Sequence, residues 1–228
     1  YLAFIDAQIG RLFLSAGSLL NANCLVVFSA DHGEMLGDHN LLRKTYPYEG
    51  SARIPMIVRP PIDRSQFDDA GEGVSVLDTV DMIPTPQNLE LDNLVGLEDV
   101  MPTMLDAAGI PIPDTVEGRS MMPLVRGEDV EWRDYYHVEH SPCYHPTNAH
   151  QMLTDSEWKY IWNPITGDEQ LFHLKSDPNE LEDLSSDNAH GGELAGWRDR
   201  LVKHLDGRPE GLSDGKRLTP GQVAAWRG

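Results

Sequence analysis

In the stretch VVFSADHGEMLGDHNLLRK (Val26 to Lys44), an aspartate and a histidine, Asp31 and His32, stand side by side just beyond an apolar run. A carboxylate oxygen and an imidazole nitrogen together make a good divalent-metal pair. Gly33 follows and allows the backbone to turn and approach a neighbour closely. Lys44 is the one lysine of the stretch, and a lysine suits an anionic substrate as a movable point charge. The competing reading is an aspartate that caps the next helix, a solvent-facing histidine and a solvated lysine. Glu34 and Asp38 read as loop residues or as outer partners of the pair, and His39 stays open between these roles.

Cys24–Phe28 is a continuous apolar run of strand length, as expected for a central parallel strand covered on both faces. Asp31 and His32 then lie beyond its carboxyl end, where open α/β sheets bind ligands. Before the run, Leu2, Ile5, Ile9, Leu12 and Phe13 recur at helical spacing. After it, RIPMIVRPP (Arg53 to Pro61) reads as a second short strand closed by prolines. Residues 62–93 read as a long acidic excursion, and Leu97–Ile110 as a helix with Pro102 in its first turn and Gly109 at its stop. The composition then changes. Tyr135–Glu139, Gln151–Thr154, Trp158–Trp162 and Glu169–Leu174 are strand candidates, with Asn163–Glu169 as a hairpin connection. Glu193–Gly207 is a helix with Leu194, Trp197, Leu201 and Leu205 on one stripe. The class expected is α/β over 1–133, followed over 134–228 by a small antiparallel sheet with a packed helix.

The net charge of −19 over 228 residues argues against nucleic acid as a partner, because phosphate binding needs a basic surface. No apolar run approaches the roughly 20 residues that span a bilayer. Two cysteines, Cys24 and Cys143, make neither a disulfide framework nor a zinc-cysteine site. No basic-then-apolar leader is visible, which favours a cytoplasmic location, although the chain opens on Tyr1 in mid-pattern.

VVFSADHGEMLGDHNLLRKTYPYEGSARIPMIVRPP resembles the second signature region of the sulfatases, members of the alkaline phosphatase superfamily. VGLEDVMPTMLDAAGIPIPDTVEGRSMMPLVRGE resembles the segment that follows it. KYIWNPITGDEQLFHLKSDPNELEDLS resembles the C-terminal subdomain, where an LF-x-L-x-x-DP-x-E stretch is typical. The resemblance implies the C-terminal part of an alkaline phosphatase-like sandwich and assigns Asp31 and His32 to the active-site cation. Histidine in the second place favours manganese, with calcium the alternative. It assigns Lys44 to the sulfate or phosphate oxygens, and Glu139-His140 to a place near the substrate, so that His140 is a substrate-binding candidate.

The spacing LGDH…LL-x-K is closest to a subgroup that includes phosphonate monoester hydrolases and choline-sulfatase-like enzymes. The substrate implied is a small sulfate ester, with a phosphonate or phosphate ester as the alternative. The family's nucleophile, a cysteine or serine in C/S-x-P/A-x-R with the cysteine oxidised to formylglycine, has no match in the chain. The first pair of metal aspartates has none either. The chain therefore resembles half of an active site and is expected to be inactive alone, with the missing N-terminal half as a partner. The competing class is a non-catalytic module.

Overall fold

The computed structural model describes residues 1–15, 24–60, 89–142, 145 and 148–221. Most of the 62–93 excursion and Cys143 lie outside the described residues. The chain forms two compact units that interleave in sequence, one from Tyr1–Ser29 and Met56–Glu131, the other from Ala30–Pro55 and Trp132–Gly228.

In the first unit, α1 spans Leu2–Ser15 as its spacing predicts, yet none of its residues is buried. Strands β1 (Val26–Ser29) and β2 (Met56–Arg59) pair with each other, Val26 opposite Arg59 and Ser29 opposite Met56. The pairing is antiparallel, where the apolar run suggests a parallel strand covered on both faces. An apolar run reports burial but carries no direction. The chain also comes back after Ala30–Pro55 without the helical crossover that parallel neighbours need. Phe28 and Ile57 are 43% and 59% exposed, so the described part of this ribbon keeps an apolar face open.

The helical stretch begins as a 3₁₀ turn, Leu97–Asp99, and continues as the next long helix, Val100–Ala107. Buried Asp99 organises its start. The carboxylate accepts from the amides of Gly96 (2.9 Å) and Arg119 (2.7 Å), which satisfies a charge that would otherwise be costly to bury. The helix ends in a Schellman motif. The amides of Gly109 and Ile110 donate to the carbonyls of Asp106 and Leu105, and Gly109 supplies the left-handed backbone at φ 69°. A groove of about 580 Å³ lined by Cys24, Val27, Leu97, Val100 and Met104 runs through this unit.

The second unit holds a four-stranded antiparallel sheet in sequential order: β3 (Tyr136–His140), β4 (His150–Thr154), β5 (Trp158–Trp162) and β6 (Glu169–His173). Asn163 Oδ1 accepts from the amides of Ile165 and Thr166, so the β5–β6 turn is shaped by its asparagine. Alternation along the strands divides the side chains between two faces. One face carries Leu153, Tyr160, Trp162 and Leu171. It meets the terminal helix, Gly191–His204, through Leu194, Trp197 and Leu201, with Leu205 just beyond the helix. That is the stripe seen in the sequence, and Arg198 grips Glu169 with two 2.6 Å hydrogen bonds. By strand register the other face carries Val138, His140, His150, Met152, Lys159, Ile161, Gln170 and Phe172. Tyr48 and Ala52 cover its apolar centre, Met152, Ile161 and Phe172.

Candidate functional site

Two residues past β1, Asp31 holds its neighbour in place. Its Oδ1 accepts the His32 amide at 3.0 Å, and its Oδ2 lies 3.4 Å from His32 Nε2. His32 Nδ1 lies 2.8 Å from the Gly33 carbonyl oxygen. A carbonyl only accepts, so Nδ1 carries the proton and Nε2 keeps a lone pair in the neutral ring. The Asp31 side chain is 86% exposed.

The backbone beyond this pair is held tightly. The Gly33 amide donates to the Ser51 carbonyl at 2.8 Å. The Met35 amide donates to the Arg43 carbonyl at 2.7 Å, and the Glu34 carboxylate accepts the Arg43 amide. Leu36, His39, Asn40, Arg43 and Thr45 all have left-handed φ. Such residues persist only where surrounding contacts over-determine them, and they gather at functional sites. Lys44 lies between two of them. It is partly buried, and among the described residues it has no hydrogen bond or ion pair.

The loop is seated on the sheet of its own unit. Tyr48 stacks on His39 with ring centroids 4.2 Å apart, meets Phe172 edge-on and donates to Gln170 Oε1 at 3.2 Å. His140 lies on this same sheet face, at the end of β3 opposite His150. Their rings stack at 5.5 Å, and His140 Nδ1 is buried without a partner among the described residues. Asp31 and His32 are thus in direct contact, whereas among the described residues no hydrogen bond, ion pair or ring contact joins Lys44 or His140 to them or to each other. Glu34 has a loop role, as its contact with the Arg43 amide shows.

Reasoning from sequence misses His150, Tyr48 and the ion pairs of Lys159. The available signal for Lys159 was a lysine set among aromatic residues in WKYIW, and for its partner Glu180 the glutamate of DP-x-E. Burial lowers the His150 pKa to about 4, and that of His137, on the opposite face, also to about 4. Below pH 6.5 the unfolded chain takes up a proton that folded His150 refuses until about pH 4. Its share of stability is therefore complete above pH 6.5 and is lost as pH falls through the window from 6.5 to 4. The loss is on the order of 3 kcal/mol. Urea unfolding of His150→Phe at several pH values is expected to lack this share of the acid destabilisation, and a parallel decline in both proteins would refute the assignment.

The family model described as N-sulphoglucosamine sulphohydrolase, C-terminal, matches residues 80–205, and that described as Sulfatase matches residues 1–110. The chain belongs to the sulfatase family. This sulfatase-family chain is 38% identical to an arylsulfatase of Clostridium perfringens, over 95% of its own length and 41% of that protein. It is 32% identical to arylsulfatase K of Rattus norvegicus, over 97% of its length and 37% of the relative. The structure resembles the phosphonate monoester hydrolase SpPMH of Silicibacter pomeroyi with a TM-score of 0.69 and 25% identity, covering 88% of this chain and 38% of that one. It thus has the alkaline phosphatase-like fold of the sulfatases and spans about two fifths of the curated relatives' length.

Sulfatases generally use a metal ion and a formylglycine. Asp31 and His32 fit a metal set chemically, as an exposed carboxylate beside an imidazole nitrogen with a free lone pair. Among the described residues no group of three or more His, Cys, Asp or Glu side chains gathers. A hard cation takes six or more donors, so these two side chains would not hold one by themselves.

Proposed function

We propose that this chain forms one side of the active site of a sulfuric ester hydrolase. In this reading Asp31 and His32 hold a divalent cation, manganese or calcium, while Lys44 and His140 meet the anionic head of the ester. The observation that carries the reading is the facing of Asp31 Oδ2 and His32 Nε2 at 3.4 Å. That contact sets a carboxylate oxygen beside an imidazole nitrogen, a spacing that a shared proton or a bound cation can join.

When bound, the cation would supply Lewis-acid stabilisation of charge on the transferring group. Asp31 and His32 orient it, and Gly33, tied to Ser51, fixes their position on the loop. Lys44, without a counter-charge among the described residues, adds a movable cation for the ester oxygens. His140, backed by the neutral ring of His150, offers a nitrogen on the sheet face that seats the loop. The chain contains no C/S-x-P/A-x-R stretch. The nucleophile of this reading belongs to the part of the sulfatase fold that the relatives carry beyond the matched segment. That part would also cover the exposed apolar faces of α1 and the β1–β2 ribbon. A phosphonate ester is the second substrate class, supported by the likeness to SpPMH.

The test is hydrolysis of an aryl sulfate and an aryl phosphonate with added manganese. The 228 residues alone are expected to turn over neither. In a polypeptide or complex that also brings the nucleophile, Asp31→Ala and Lys44→Ala should each reduce turnover by about 100-fold or more. Turnover by the chain alone, or turnover indifferent to both substitutions, would overturn the reading. The faster of the two esters identifies the substrate class.

A further inference from the structure

Lys159 is the second residue of β5 and is fully buried. Its three ammonium protons have three acceptors: the Pro47 carbonyl at 3.1 Å, Glu49 Oε1 at 2.7 Å and Glu180 Oε1 at 2.6 Å. Glu180 is buried too, has a left-handed φ of 55°, and uses its second oxygen to accept the Glu49 amide at 2.7 Å. Of these four bonds only one stays within the C-terminal subdomain. The other three end on Pro47 and Glu49, in the loop that carries the candidate site. A buried ion pair is a poor source of net stability, and its best-attested use is to fix register.

We infer that Lys159, Glu180 and Glu49 form a clamp, buried at Lys159 and Glu180, that positions the Asp31–Lys44 loop, with Lys159 and Glu180 as positioning residues for the site. Pro47 lies three residues beyond Lys44. Two residues beyond Glu49, Ser51 receives the Gly33 amide at 2.8 Å, and Gly33 adjoins His32. A shift at the clamp therefore reaches both ends of the site, Lys44 along the chain and Asp31-His32 through the Gly33–Ser51 bond. The glutamate of the DP-x-E stretch thereby acquires a role as the buried counter-charge and amide acceptor that locks the loop. The clamp stands on these contacts alone, and its bearing on ester binding rests on the function proposed above.

Glu180→Gln discriminates well. An amide in place of the carboxylate turns a donor towards either Lys159 Nζ or the Glu49 amide, and one of the two bonds must break. Hydrogen–deuterium exchange on the full 228-residue chain reads the result by segment. Exchange across 33–52 is expected to rise about tenfold, while the terminal helix, 191–204, stays within about twofold of the wild type. Glu49→Gln, on the loop side and partly exposed, serves where Glu180→Gln does not fold, and should give a smaller rise confined to the same segment. Unchanged loop exchange overturns the clamp. An equal rise in loop and helix also overturns it, because that reports loss of the whole sheet.

A second arm uses inorganic sulfate to protect Lys44 from amine acetylation. Protection in Glu180→Gln is expected to need roughly fivefold more sulfate than in the wild type. If the loop loosens while equal sulfate protects both proteins, the positioning role is refuted. If the loop loosens and sulfate protects Lys44 in neither protein, the clamp holds and the proposed ester site fails.

Discussion

Replacing Lys159 by methionine should lower the unfolding free energy by about 3–5 kcal/mol, the usual cost of deleting one partner of a buried ion pair. The side chain is 0% exposed and its length is nearly preserved by methionine, so lost packing contributes little. The cost comes from what stays behind. Glu180, also buried, keeps a carboxylate oxygen with no proton to accept, and Glu49, about a quarter exposed, faces it across the vacated position. The control is Lys159→Met combined with Glu49→Gln and Glu180→Gln, which removes the uncompensated charge. It should recover part of the loss, as buried ion networks replaced by neutral groups commonly do. Urea unfolding midpoints at constant slope measure both. A loss under about 1 kcal/mol for Lys159→Met would place the ammonium group in contact with water.

Gly33→Ala is the second large effect. A Cβ at position 33 would lie 2.2 Å from the Gly50 carbonyl oxygen and 3.1 Å from its carbon. Both are backbone atoms, so no rotamer change can make room. Gly50 cannot retreat freely, since its own Cα faces Met35 Sδ, close enough that a Cβ there would sit at 3.2 Å. The alanine must therefore pry apart the 33–51 pairing. This should cost about 1–3 kcal/mol or more and, by moving the neighbouring Asp31-His32 pair about an ångström, reduce turnover of a complete enzyme by about 100-fold. Gly37→Ala is the matched comparison. Nothing lies within 4 Å of a Cβ there, and only its φ of +107° opposes the change, which limits the penalty to about 1 kcal/mol. Should Gly33→Ala prove no more harmful than Gly37→Ala, close approach is not what position 33 requires.

The elements held together by local patterning were legible in the chain. The stripe Leu194, Trp197 and Leu201 forms the buried side of the terminal helix, with Leu205 continuing it just past the helix end, because 3.6-residue periodicity is written in consecutive turns. Asn163 at the β5–β6 turn and Gly109 at the helix stop act through bonds within a few residues. Asp31-His32 could be singled out because ligand types stand next to each other beyond an apolar run. Pairing direction was not legible, since Val26–Ser29 would read the same beside a parallel or an antiparallel neighbour. Nor was the seat of the loop. Lys159 and Glu49 lie 110 residues apart, and Glu180 and Glu49 lie 131 apart. In one dimension a lysine in a strand reads as solvated, and only the fold reveals that both faces around it are closed. His150 hides for a similar reason: its stacking partner, His140, is across a strand pair.

Those long separations give the molecule an order in time. During synthesis the Asp31–Lys44 segment emerges more than a hundred residues before Lys159 and Glu180, the groups that clamp it. Contacts of such span form late, because the entropy of closing the intervening chain must be overcome first. The pair that would take a cation is thus made early and set late, after the last strands have left the ribosome. A nascent chain that stops short of its C-terminal sheet would expose the donors without their proper arrangement. Assembly of the fold is in this sense a checkpoint on the proposed chemistry: the loop is set in place only once Lys159 and Glu180 have arrived to receive it.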